Sequence, residues 1–225
     1  MAEKNNLPVT EASDNTVDRV TGFWNQYSKQ ILIGFAAILI LGGVFFGYKY
    51  LIAEPNEKKA SEAMRYAEAF FRQDSVKLAL EGDNLNPGFL KIISKYSGTD
   101  AANLAHFYAG SCYLTMGDFK NAAKHLQDFS TSEPLVKARA KSLLADADSE
   151  LGKKDEAVKL YKEAGTTFEK DDYYSPQYLF RAGYLYESMG KTKEAIEVYK
   201  MIKEKYPQYK ENDIDKYLGR LGDTE

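Results

Sequence analysis

From Gln30 to Tyr48 the chain carries no charged side chain, and Lys29 and Lys49 bound the run. Wound as a helix it is about 28 Å long, close to the roughly 30 Å hydrocarbon layer of a bilayer. It is rich in Ile, Leu, Phe and Gly. Lipid offers backbone groups no hydrogen bonds, so a lone apolar run crosses it as a helix. Trp24 and Tyr27 stand before the run, Tyr48 and Tyr50 at its end, and such rings favour the headgroup zone. A membrane-spanning helix is therefore expected over residues 30–52, with the lipid bilayer as its partner. A cleaved secretion signal has a short basic leader and a small-x-small cleavage site. Here Glu3, Glu11, Asp14 and Asp18 mix with Lys4, Arg19 and Lys29, and Leu51-Ile52-Ala53-Glu54 is a poor site. The span is expected to be retained. Residues 1–29 read as a polar tail, disordered through residue 18 and helical from about Thr16 into the span. Gly43 and Gly47 form a G-x-x-x-G pair that lets a second membrane helix approach closely, although glycine is also simply common in spans.

Of the 30 basic and 33 acidic residues, four of each precede Glu54, leaving 26 and 29 in the rest of the chain. That balance excludes the clustered positive surface of a nucleic-acid binder and strong adhesion to anionic lipid. Cys112 is the single cysteine, so no intrachain disulfide forms. Arg19 and Lys29 on one side of the span, and Lys49, Lys58 and Lys59 on the other, nearly tie the count of positive charge that sets orientation.

Beyond the span the apolar period is helical. Ala60, Ala63, Met64, Ala67 and Phe71 fall on one helix face. Asn84, Asn86, Pro87 and Gly88 interrupt, and Phe89 to Tyr96 reads as a short helix. A repeat follows. Ala109-Gly110, Tyr113, Gly117, Ala122, Leu126 and Pro134 recur as Ala182-Gly183, Tyr186, Gly190, Ala195, Tyr199 and Pro207. A looser middle copy has Leu144-Ala145, Gly152, Ala157, Tyr161 and Ala164. Ala122, Ala157 and Ala195 are 35 and 38 residues apart, near the 34-residue tetratricopeptide period. Units are expected at 103–136, 138–171 and 176–209, each a pair of antiparallel helices. Gly117, Gly152 and Gly190 are read as stops for the first helix of each pair. Asp118, Asp155 and Thr192 are read as caps of the second, and Ser175-Pro176 as a cap and first-turn proline. Residues 54–100 read as a linker helix and divergent first unit. Gln208 to Leu218 reads as a capping helix covering the last apolar face. The fold expected is all-α: one N-terminal transmembrane helix, then an α-solenoid of tetratricopeptide-like helix pairs over 103–225.

The order of parts also resembles one family. A polar N-terminal segment, a glycine-containing span, the Tyr48-Lys49-Tyr50 exit, an Ala-rich helix and the repeats are similar to the YfgM family over about Phe23 to Ala164. The tail is longer than in that family and the last repeat is closer to consensus. The resemblance implies a bacterial inner-membrane protein ancillary to the SecYEG translocon, associated with a PpiD-like membrane-anchored folding factor. It implies a cytoplasmic N-terminus and a periplasmic repeat domain.

No catalytic constellation emerges. His106 and Cys112 lie about 240° apart around a helix, so they share no metal face. Asp146, Asp148 and Glu150 begin like a calcium loop, but Leu151 and Ala157 stand where glycine and glutamate are required. There is no phosphate-binding G-x-x-x-x-G-K run. Neither an enzyme, a cofactor, a metal nor a small-molecule substrate is expected. In tetratricopeptide units the concave surface is lined by the second, fifth, ninth and twelfth residues. These are Leu104, Phe107, Ser111 and Leu114; Arg139, Ser142, Asp146 and Ser149; Gln177, Phe180, Tyr184 and Glu187. This mixture suits an extended or amphipathic polypeptide, with Phe107 and Phe180 alternatively serving as inter-unit core. Tyr173 and Tyr174 form a second candidate patch. The functions expected are an ancillary translocon subunit, a scaffold of another envelope export, division or assembly complex, or a holdase for unfolded clients.

Overall fold

The computed structural model describes residues 12–209 and 213–223. The chain divides into two compact units, Met1–Pro55 and Asn56–Glu225. Among the described residues every regular element is helical, apart from an isolated bridge between Gly82 and Pro87.

In the first unit α1 runs Ala12–Tyr48. The stretch expected to be disordered is thus helical from residue 12, while residues 1–11 lie outside the described residues. The charge-free run is apolar on every face. Leu32, Ile33, Ile38 and Leu41 point in different directions around the helix yet are all more than half exposed, which marks a helix built for a non-aqueous surround rather than for a core. It is long and apolar enough to cross a membrane. The backbone changes register just after it. Lys49–Ala53 is π-helical, with the Glu54 N–H donating to the Lys49 carbonyl. Pro55 follows, and its missing N–H breaks the α-helical ladder there.

In the second unit α2 (Glu54–Arg72), α3 (Val76–Glu81) and α4 (Phe89–Lys95) precede the repeats. Ala60, Ala63, Met64 and Ala67 of α2 are buried in one core with Leu80, Phe89, Ile92 and Ala105. Glu57 of α2 accepts the backbone N–H groups of Asp100 and Ala101 at 2.7 and 3.0 Å. Its carboxylate thereby satisfies the exposed donors, and the positive end, of the next helix.

The helix pairs are α5 (Asp100–Thr115) with α6 (Phe119–Asp128), α7 (Pro134–Glu150) with α8 (Lys154–Thr167), and α9 (Tyr174–Ser188) with α10 (Thr192–Lys205). Each first helix ends on a glycine of positive φ: +76° at Gly117, +79° at Gly152, +72° at Gly190. In all three the next N–H reaches back five residues, as Asp118 does to the Tyr113 carbonyl at 2.9 Å. Only a residue without a Cβ takes this turn without strain. The caps are mixed. Asp118 accepts the Asn121 N–H as expected. Asp155 and Thr192 instead lie inside the first turn, after Lys153 and Lys191, and Asp155 pairs with Lys191 of the next unit. Ser175 is no cap either; it is buried inside α9, and its hydroxyl donates to the Phe168 carbonyl.

Glycines also set how closely the helices approach. A Cβ on Gly110 would meet Leu126, on Gly183 the Tyr199 ring, and on Gly165 Leu179 and the Ser175 carbonyl, all under 3.0 Å. Gly165 escaped the sequence reading because it lies one residue after the repeat's marked alanine. The last element, α11 (Ile214–Arg220), buries Ile214 and Leu218 against α10. It is capped by Asp213, which accepts the Lys216 N–H.

Candidate protein-binding face

The first helices of the pairs, α5, α7 and α9, carry every residue expected on the concave surface. The structure gathers some of them and turns others away. Phe107, Ser111 and Leu114 of α5, with Arg139, Asp146 and Ser149 of α7, line one cavity of about 610 Å³. Phe71, Phe119, Leu143 and Tyr161 complete its apolar wall, and Glu150 stands at one end. A second cavity of about 430 Å³ shares Phe107 and Arg139 with the first. Leu104, Leu135, Val136, Tyr174 and Tyr178 form its apolar wall, and Asp171 lines it as well. Tyr174 thereby joins a wall of this face, while Tyr173 stacks edge-on against it at 4.7 Å.

Three expected lining residues are not open. Ser142 is 2% exposed. It falls between Ala138 and Ala145 on the stripe of α7 that packs inward. Phe180 meets Tyr217 of α11 edge-on at 4.9 Å and also contacts Tyr199. Glu187 pairs with Arg220 of α11 at 2.6 Å and accepts the Tyr199 hydroxyl at 3.1 Å. The capping helix therefore occupies this part of the face. Gln177 is half-buried and Tyr184 exposed, and neither lines the two cavities. In the span nothing lies within 4 Å of where a Cβ on Gly43 or Gly47 would be.

Fixed polar contacts hold the floor of the larger cavity. Asp146 takes two hydrogen bonds from the Arg181 guanidinium, at 2.9 and 3.1 Å, and one from the Tyr161 hydroxyl. Burial first, then the Asp146 charge, pushes the Tyr161 phenol above its ordinary range, so it remains a donor at physiological pH. The larger cavity thus sets aromatic side chains beside polar ones and one locked carboxylate.

The histidines, considered apart in the sequence, meet across α5 and α6. His106 Nδ1 and His125 Nδ1 are 3.1 Å apart, so one ring donates to the other. Tyr113 stacks on His125 at 5.4 Å. Burial holds both imidazoles below their usual pKa; Asp128, 3.8 Å from His106, opposes this and Lys124 adds to it. A separation of 19 positions along the chain concealed the pair. Burial also pushes the Cys112 thiol up to about 12, which leaves it an inert core group. Among the described residues no group of three or more His, Cys, Asp or Glu is placed to hold a metal ion.

A family model described as a tetratricopeptide repeat-like domain matches residues 21–222. The chain belongs to this family. Among solved structures, the crystal structure of MamA is similar to 60% of this chain and 80% of its own, at 20% identity and a TM-score of 0.46. No curated protein matches. Tetratricopeptide repeat-like proteins typically serve as non-enzymatic interaction scaffolds, and the match indicates no catalytic family.

Proposed function

We propose that this tetratricopeptide repeat-like protein is a membrane-anchored interaction subunit that holds an extended polypeptide on the inner face of α5 and α7. One observation carries the reading: the 610 Å³ cavity is walled by Phe71, Phe107, Leu114 and Phe119, on a chain that also bears a membrane-length apolar helix. Half-buried aromatic side chains of this kind gain by covering an apolar partner.

The finer reading follows the YfgM resemblance. The chain is ancillary to the SecYEG translocon of a bacterial inner membrane, with the tail in the cytoplasm and the repeats in the periplasm. The span docks beside the channel, with Gly43 and Gly47 as the close-approach face. The repeats hold a PpiD-like folding factor or an emerging secreted chain. Isolation of the full chain from gently solubilised membranes is expected to recover channel subunits and such a folding factor. Recovery of neither removes the translocon assignment, and recovery of a different envelope complex favours the scaffold reading. A photo-crosslinker at Phe107 is expected to reach the held polypeptide in living cells; labelling only by lipid would overturn the use of this face.

A further inference from the structure

Ahead of the charge-free run, α1 carries a second pattern. Val17, Val20, Trp24, Tyr27 and Ile31 alternate three and four residues apart, and each is at least 40% exposed. The same step passes through Gly34 to Ile38, Leu41 and Phe45. This is the seam spacing of a two-stranded coiled coil. Within the span every face is apolar, so the pattern selects nothing there. Before Gln30 it is selective. Asp18, Arg19, Asn25, Gln26 and Lys29 turn away from the stripe, and Phe23 is the one large apolar residue beside it. With Gln30–Tyr48 across a bilayer, lipid does not reach the whole stripe. Val20 and Val17 stand ten and thirteen residues before Gln30, about 15 and 20 Å along the helix. The headgroup layer outside the hydrocarbon is about 5–8 Å deep on each side. Tyr27 falls within it and Trp24 at its edge. The two valines lie beyond it, even with the helix tilted by about 40°. From Ala12 to Tyr48 α1 is one α-helix without a proline, so its start projects from the membrane surface instead of lying along it.

Resting on the reading of α1 as a membrane span, we infer that this stripe is covered by the same stripe of a second copy, and that the chain forms a parallel pair joined along residues 17–31 and on into the span. Copies inserted in the same sense lie parallel, so each seam residue meets its own twin across a two-fold axis. Residues that flank such a seam set partner choice through their charge. Here they are Thr21, Phe23, Ser28 and Gln30, none of them charged, so identical helices meet without like-charge repulsion. A gentle left-handed supercoil keeps the seam in contact along its length. The pairing leaves the other side of the span open. Gly43 and Gly47 each lie about 160° around the helix from Phe45, so the close-approach face assigned above to the channel does not compete with the seam.

The test uses the full chain in its native membranes. Cys112 is the single native cysteine and is fully buried, so an introduced cysteine reports alone. Val17→Cys and Val20→Cys are expected to give disulfide-linked dimers under mild oxidation, and Gly22→Cys and Asn25→Cys to give little. Equal yields at all four positions overturn the inference, because random collision in the membrane has no helical phase. Val20→Asp added to the Val17→Cys chain is expected to lower the dimer yield about tenfold, equivalent to about 1.4 kcal/mol. Retention in the carbonate pellet and melting of the repeats as in the parent show that this variant keeps its anchor and fold; an unchanged yield overturns the inference. A photo-crosslinker at Val20 is expected to join two copies. Attachment to lipid instead assigns the stripe to the headgroup layer, attachment to a different protein assigns it to another partner, and either overturns the inference. A chain that resists carbonate yet gives no dimer overturns it and leaves the membrane anchor standing. Release by carbonate overturns the anchor and the inference together.

Discussion

Gly183 shows how much one missing carbon decides. A Cβ there would lie 2.6 Å from Tyr199 Cε1. The ring has nowhere to go: Tyr199 is fully buried and its hydroxyl is held by Glu187. Gly183→Ala is expected to destabilise the fold by about 1–3 kcal/mol, as overpacking of a tight core does, read from the urea midpoint of the full chain in micelles. An unchanged midpoint would show that α9 and α10 shift apart freely. The glycines at Gly117, Gly152 and Gly190 were legible in the sequence because their role is local: each ends a helix at positive φ. Gly110 and Gly183 were legible from the repeat. Gly165 was not, because its contact with Leu179 comes from the following unit.

At the scale of elements, charge and hydrogen bonds join helices that the repeat pattern only places side by side. Lys141–Glu163 links α7 to α8, and Arg181–Asp146 links α9 to α7. The His106–His125 bond links α5 to α6, and it requires at least one neutral ring. Both imidazoles are held below their usual pKa by burial, so the unfolded chain takes up protons more readily than the folded one. The stability tied to the pair is then fully present above the unfolded histidine pKa of about 6.5 and is lost as pH falls below it. Thermal melting is expected to drop between pH 7.5 and pH 5, and His125→Gln to shrink that drop while keeping a hydrogen-bonding side chain beside His106. A drop of the same size in the variant would assign the effect to carboxylates. The capping helix shows what the repeat cannot reveal. Phe180 takes the position of Phe107, and Glu187 the position of Leu114 and Ser149, all of which line the larger cavity, yet Tyr217 and Arg220 of α11 meet them. A neighbour from the end of the chain claims them.

For the whole molecule, the apolar surface of α1 is the largest demand on its surroundings. Ile33, Ile38, Ile40 and Leu41 are each at least 66% exposed among the described residues. Each apolar side chain moved from water into an apolar medium contributes about 1.5–3 kcal/mol, so a run of this length is sufficient to hold a chain in a bilayer. The full chain is expected to remain in the membrane pellet through alkaline carbonate and high-salt washes. A chain beginning at Asn56 is expected in the supernatant. Release of the full chain by carbonate would mean that α1 lies against a partner instead of crossing lipid.

The span, the helix pairs and their glycine stops were determined by the sequence alone, because each rests on a short-range cause: a charge-free length, a helical period, a positive φ. Seven of the twelve residues expected on the concave surface line the two cavities, since residues three or four apart on α5 and α7 share a face whatever surrounds them. The three-dimensional fold alone decided which of those residues stay open. Ser142 turns into the α7 packing stripe, Phe180 and Glu187 meet α11, and Arg139 is left exposed where it lines both cavities. Exposure depends on neighbours that arrive from far along the chain, and no local period encodes their arrival.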